Sequence, residues 1–205
     1  HVLNLNTATI GTDIGGGNYV EGIERINLTF GNGSNFVTTF NGQATVGTTA
    51  DDDLDDTVTT GSGTDTVLLY GGNDTVTLGA NGTSDHDMLV INWGHLTGGV
   101  SGGYTSYSGS AADNEGYGTF TDSGANSVGF TGVEHIRVTT GSGNDVLTTG
   151  NGDDSVTLGA GDDSVNTNQG TATVNGGTGT DIWQADLGAE TAGISLDLLA
   201  AVIST

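Results

Sequence analysis

The stretch GSGNDVLTTGNGDDSVTLGAGDDSV, residues 141–165, decides how this chain folds. It contains three units of nine residues in register, each with glycine at positions one and three. Position five is an aspartate and position seven an aliphatic residue in every unit: Asp145, Asp154, Asp163, Leu147, Val156 and Val165. A unit this short cannot bury an apolar face alone, so successive copies must stack on one another.

The unit reads as a turn followed by a short strand. Glycine permits the positive φ and the close backbone approach of a tight turn, and the residues after the aspartate alternate inward and outward as in a strand. If each unit makes half a coil, equivalent aspartates lie one coil apart every 18 residues, as in 163 − 145 = 18. Carboxylates stacked at the strand spacing of roughly 4.8 Å repel one another unless a cation lies between them. Carboxylates and turn carbonyls suit Ca²⁺ better than Mg²⁺, because Ca²⁺ accepts flexible oxygen coordination.

These units resemble the RTX (repeats-in-toxin) nonapeptide, G-G-x-G-x-D-x-U-x, where U is a large aliphatic residue. The resemblance implies an all-β fold, a parallel β-roll or β-helix solenoid of RTX type with Ca²⁺ in its turns. It also implies that aspartates and turn carbonyls one coil apart share each ion. The first glycine of the family's pair is replaced by Thr140 and Thr149 before two of the units, but the G-x-G-x-D core is intact.

Further copies extend the candidate ligand set. In the first half, Asp56, Asp65 and Asp74 fall nine residues apart, and Asp181 follows Asp163 by 18. Asp87 precedes another aliphatic strand, whereas Asn35 stands where a degenerate repeat would carry aspartate. The acidic insertion at residues 50–56 offers Asp53 either as an added ligand or as part of a solvated bulge. The predicted calcium ligands are therefore Asp53, Asp56, Asp65, Asp74, Asp87, Asp145, Asp154, Asp163, Asp181 and Asn35.

A longer repeat contains the short one. The segment GIERINLTFGNGSN at residues 22–35 recurs as GVEHIRVTTGSGND at 132–145, an offset of 110. We therefore predict two related tandem modules. The first, residues 1–86, has degenerate repeats at 22–48 and regular repeats at 52–78. The second, residues 132–205, has regular repeats at 141–185 and C-terminal strands. An irregular β insertion stacked on the coil, residues 87–131, separates them.

Composition excludes several classes of function. The chain has 25 acidic residues against 2 basic ones, a formal net charge of −23, and nucleic-acid binding needs basic patches. It lacks cysteine, so neither a disulfide nor a thiol nucleophile is available, and no apolar run is long enough to span a membrane. None of the four histidines lies in an HExxH motif, and the aspartates repeat without marking one pair as special. We expect no enzyme.

The leading hypothesis is an extracellular, calcium-stabilised structural module of a bacterial surface layer, adhesin stalk or secreted filament. Because residues 194–198 resemble residues 2–5, the chain is expected to be a window from a longer array or a subunit that stacks head to tail. The family resemblance implies type I secretion, so an alternative is the C-terminal secretion and folding module of a secreted enzyme. A minor alternative is ice binding by the threonines that flank the inward valines, Thr57, Thr59, Thr75 and Thr77.

Overall fold

The structure, a computed structural model, is all-β across the part of the chain that it describes. It describes residues 2–4, 12–13, 19–20, 27–29, 36–38, 55–79, 86–106, 115–124 and 126–188. No helix occurs among them, and so none of the described segments is a helix long and apolar enough to cross a membrane. The all-β class predicted from the sequence is confirmed.

Within the described ranges, eighteen strands form two large sheets and one small one. The seven-stranded sheet contains, in spatial order, β1 (Val2–Asn4), β5 (Phe36–Thr38), β7 (Thr66–Leu69), β9 (Met88–Asn92), β13 (His135–Thr139), β15 (Ser155–Thr157) and β17 (Thr173–Asn175). The nine-stranded sheet contains β18 (Ile182–Gln184), β16 (Ser164–Asn166), β14 (Val146–Thr148), β10 (Val100–Ser106), β11 (Gly116–Asp122), β12 (Ser127–Val133), β8 (Asn73–Thr77), β6 (Thr57–Thr59) and β4 (Asn27–Thr29). The small sheet pairs β2 (Thr12–Asp13) with β3 (Tyr19–Val20).

Successive strands of the regular repeats alternate between the two large sheets, so each nonapeptide contributes one strand. Strands two units apart pair in parallel: β14 with β16, β15 with β17, β16 with β18, and β6 with β8. In each pair the partners are 18 residues apart, as in Leu147 with Val165, 165 − 147 = 18. The register predicted from the nine-residue spacing is confirmed.

One apolar core lies between the two sheets. Position-seven residues from both sheets belong to it, for example Leu147, Val156 and Val165, each at most 2% exposed. Their strand neighbours are more exposed, in the alternation expected of strands with one buried face. Each coil adds only a few aliphatic side chains to this core, which is therefore narrow.

The turns stack as closely as the strands do. Ser142, Ala160 and Thr178 bridge one another in succession. Gly159 and Gly161 on either side of Ala160 have φ of 92° and 144°, in the region that favours glycine. A Cβ at Gly161 would lie 2.2 Å from the carbonyl oxygen of Gly143 one coil earlier. Positions one and three are therefore glycine both for backbone conformation and because the coils approach so closely.

An insertion interrupts the stack on one face only. Strands β10, β11 and β12 form an antiparallel meander that lies between β8 and β14 in the nine-stranded sheet. On the opposite face β9 pairs directly with β13. Phe120 and Phe130 stack with ring centroids 5.5 Å apart beneath the meander, and Tyr104 lies 6.3 Å from Phe130. Aromatic side chains thus fill the core where the insertion joins it.

The two sets of regular repeats are offset across the insertion by two residues. In the seven-stranded sheet, Leu89 pairs with Ile136, and the register of the next pair of strands places Ile136 opposite Asp154. A position-seven residue of the first set thus aligns with a position-five residue of the second. In the nine-stranded sheet the register from Asp74 passes through the meander and arrives at Leu147 rather than Asp145. The columns of aspartates before and after the insertion are therefore discontinuous.

Candidate metal sites

The position-five aspartates form columns in which each side chain reaches back one coil. Oδ1 of Asp163 accepts the backbone N–H of Asp145 at 2.9 Å, and Oδ1 of Asp181 accepts that of Asp163 at 3.2 Å. In the first repeat set, Oδ1 of Asp74 accepts the N–H of Asp56 at 2.9 Å. These bonds hold carboxylates of successive coils in line, as the predicted ligand pairs require.

The column on the other sheet ends at a residue that the sequence analysis missed. Asp87 Oδ1 accepts the Asp65 N–H at 2.7 Å, and Oε2 of Glu134 accepts the Asp87 N–H at 2.6 Å. Glu134 is 2% exposed and therefore takes the place of the next aspartate. A signal was present in the sequence, because G132-V133-E134-H135-I136 has the spacing of G-x-D-x-U with glutamate at position five.

Asp154 has no acidic neighbour in its column. Its Oδ1 accepts the N–H of Ile136 at 2.9 Å, a consequence of the two-residue offset. One coil later the equivalent position is Ala172. Among the described aspartates at position five of the second set, Asp163 thus lies between two acids whereas Asp154 lies beside none in its own column.

The second oxygen of Asp163 is where a cation fits best. Asp163 is 1% exposed and its Oδ2 is buried without a hydrogen-bond partner, as is Oδ2 of Asp154, but of the two only Asp163 has acids on both sides in its column. In the preceding coil the Thr140 hydroxyl donates to Oδ2 of Asp145. The residue that corresponds to Thr140, five positions before Asp163, is Leu158, which has no hydroxyl to offer. A buried carboxylate oxygen without a donor is costly unless a cation or a proton meets it.

Burial also shifts the protonation of these groups. Desolvation raises the pKa of Asp145, and it raises the pKa of Asp163 with help from the nearby Asp145 and Asp181 charges. Burial raises the pKa of Asp154 to about 6, against the opposing effect of the Thr149 hydroxyl. Burial likewise raises the pKa of Glu134 to about 8. Asp145, Asp154, Asp163 and Glu134 therefore resist ionisation in the absence of a counter-ion.

Position four carries a second polar ladder that runs in the opposite direction. The side chain of Asn144 accepts the N–H of Asp162 at 3.0 Å, and Asp162 accepts that of Thr180 at 2.8 Å, each reaching one coil forward. On the other sheet, His135 Nδ1 accepts the Asp153 N–H at 2.9 Å. These exposed bonds satisfy the turn backbone and leave the buried column to the position-five carboxylates.

Two predicted ligands, Asp53 and Asn35, lie outside the described residues. Within the described ranges, no three acidic, histidine or cysteine side chains converge as a metal-binding cluster. The donor set is instead a buried carboxylate pair beside stacked glycine turns. Carboxylate and carbonyl oxygens are the ligands that Ca²⁺ prefers. The residues present therefore fit a hard cation.

Comparison with known families supports the same conclusion. The family model described as the RTX calcium-binding nonapeptide repeat (4 copies) matches residues 51–88 and 139–174. These ranges include the pair Asp56 and Asp74 of the first repeat set and the pair Asp145 and Asp163 of the second, and they exclude the meander. Comparisons with curated proteins and with solved structures gave no significant match. The chain is thereby identified as one that carries RTX calcium-binding nonapeptide repeats in two separate blocks.

Proposed function

We propose that this chain is a structural module of a secreted bacterial protein that folds when it meets calcium outside the cell. The protein that contains this module forms a surface layer, an adhesin stalk or a secreted filament. The observation that carries the proposal is Asp163, a buried carboxylate between two others in its column with one oxygen lacking a donor. When ionised, such a residue favours the folded state only if a cation is present.

Charge explains why folding would depend on the ion. Without Ca²⁺, the column Asp145, Asp163 and Asp181 brings like charges to adjacent strands, and burial penalises the ionised forms of Asp145 and Asp163. The ion supplies the missing positive charge. One ion would lie between Asp145 and Asp163 and another between Asp163 and Asp181, each held by that carboxylate pair and by carbonyls of the neighbouring glycine turns. Binding free energy then becomes folding free energy, because the unfolded chain has no preformed site.

The proposal agrees with secretion. RTX repeat proteins are typically secreted, and calcium sites of extracellular modules have dissociation constants of about 10⁻⁴ to 10⁻³ M. Sites of this strength would be empty in a cell interior and filled outside. We assign the chain no catalytic role, because its described carboxylates recur with the coil and no pair is distinguished from the rest in a cleft.

A calcium titration followed by far-UV circular dichroism tests the proposal. The chain is stripped with EDTA and then titrated with CaCl₂, with MgCl₂ as the matched control. A cooperative rise in β signal with Ca²⁺ but not Mg²⁺ is expected. A full β signal already present in EDTA would contradict the proposal. Light scattering in the same titration tests the filament assignment, which requires assembly to accompany folding.

A further inference from the structure

The middle of the molecule is stabilised in a different way from the repeats on either side. We define the central unit as residues 88–106, 115–124 and 126–139, that is, β9 to β13. It contains Trp93 and Phe120, the two largest fully buried side chains among the described residues. The hydroxyl of buried Tyr104 donates to the carbonyl of Val133 at 2.9 Å and ties β10 to β12. This aromatic core buries more side-chain area per strand than the valines and leucines of the repeats.

Pairing within the meander of the central unit needs no bridging ion. Strands β10, β11 and β12 are each seven residues long and pair as an antiparallel meander. Where the column that starts at Asp56 and Asp74 would continue, Val128 and then Phe120 occupy the aligned positions. Apolar side chains thus replace carboxylates at those positions. The acids Glu115 and Glu134, whose charges repel each other, flank β11 and β12 outside these aligned positions, so the apolar core of the meander requires no counter-ion.

The central unit also separates the two sets of aspartates. The first array, residues 55–79 with Asp87, and the second array, residues 141–185, are offset by two residues on both faces. Each array therefore ends on the central unit. The first array meets β12 and β9, and the second meets β10 and β13. The coil of each array that adjoins the central unit can therefore pair with a strand edge of that unit.

We propose that the central unit folds without calcium and stays folded when the ion is removed, so that each array folds onto it as a separate calcium-dependent step. This inference rests on the proposed function, because it assumes that calcium stabilises the arrays. It adds that the chain has an internal, calcium-independent template. Propagation from such a template avoids the unfavourable nucleation of the first coil in each array.

The two tryptophans of the chain report on the two kinds of structure. Trp93 is fully buried in the central unit, whereas Trp183 lies in the second array and is 45% exposed. Replacing Trp183 by phenylalanine leaves Trp93 as the sole indole, and its emission and its quenching by acrylamide are then measured in EDTA and in Ca²⁺. Amide hydrogen exchange of the unaltered protein, followed by mass spectrometry, gives a second readout that needs no substitution.

In EDTA we expect the Trp93 emission to stay blue-shifted and protected from acrylamide. Peptides from residues 116–133 should stay protected from hydrogen exchange, while peptides from residues 141–185 should exchange fully. Simultaneous loss of protection in both regions would overturn the inference and leave the proposed function intact. Protection of both regions in EDTA would overturn the inference together with the proposed function. Restoring Ca²⁺ should recover protection in the arrays without changing the Trp93 signal.

Discussion

Replacing Asp163 by asparagine should have opposite consequences with and without calcium. The amide oxygen can still accept the Asp145 N–H that Oδ1 accepts at 2.9 Å, so the column geometry is retained. The charge is lost, however, at a position that is 1% exposed and lies between two other carboxylates. In EDTA the substitution therefore removes a destabilising buried charge, whereas in Ca²⁺ it removes a metal ligand.

The size of the effect follows from ligand linkage. At about 10 mM Ca²⁺ and dissociation constants of about 10⁻⁴ to 10⁻³ M, each site stabilises the folded state by about 1.4 to 2.7 kcal/mol. Asp163 belongs to two pairs, with Asp145 and with Asp181. Asparagine at 163 should therefore lower the free energy of unfolding by about 3 to 5 kcal/mol in Ca²⁺. Because the whole stability of a domain is about 5 to 15 kcal/mol, that loss should markedly lower the urea midpoint of the second array in Ca²⁺.

Asp154→Asn is the matched control, since Asp154 is equally buried but has Ile136 rather than an acid one coil away. It should lose the contribution of at most one site, about 1.4 to 2.7 kcal/mol. Urea unfolding followed by circular dichroism, in Ca²⁺ and in EDTA, measures both variants. Equal losses for the two variants in Ca²⁺, or a loss for Asp163→Asn that is the same in EDTA, would refute the reasoning.

Three further changes test the turns, the central unit and proton linkage. Gly161→Ala should destabilise the second array by about 1 to 3 kcal/mol from backbone strain alone, whereas Gly103→Ala, whose nearest contact would be 3.6 Å away, should be tolerated in urea unfolding. Phe120→Ala should lower the free energy of unfolding by about 3 to 5 kcal/mol and weaken calcium-induced folding of both arrays. Tyr117→Ala, at an exposed position on the same strand, should do neither. Because burial raises the pKa of Asp154 to about 6, its protonation stabilises the metal-free fold fully near pH 4, and this contribution is lost as the pH rises through about 6. Metal-free protein should therefore show more β signal at about pH 5 than at about pH 7, and Asp154→Asn should reduce the difference.

The sequence was most informative where one rule repeats. A glycine pair, an aspartate and an aliphatic residue every nine positions specified the turns, the inward column and the 18-residue register that pairs Leu147 with Val165. It also specified which aspartates face each other, as Asp56 and Asp74 do. These features are local and recur in each coil, so each repeat unit supports the interpretation of its neighbours.

The non-repeating parts could not be predicted in the same detail. The offset of two residues depends on how the meander pairs with β8 and β14, which are far apart in sequence. A motif defined with aspartate alone does not predict Glu134. Glutamate nevertheless reaches the equivalent backbone N–H, that of Asp87, with one more methylene. The nonapeptide pattern also does not specify that Oδ2 of Asp163 lacks a donor whereas Oδ2 of Asp145 accepts the Thr140 hydroxyl, because this depends on side-chain placement.

The unequal number of strands in the two sheets has a consequence for the shape of the molecule. Between β8 and β14 the nine-stranded sheet holds three strands, whereas its partner continues directly from β9 to β13. The longer face exceeds the shorter by two strands, roughly 10 Å at the usual spacing, and the sheets are roughly 10 Å apart. The long axis should therefore curve toward the shorter face by as much as about 45°. A series of such modules would trace a wave or a superhelix rather than a straight rod, and small-angle X-ray scattering of the calcium-bound protein would reveal the curvature.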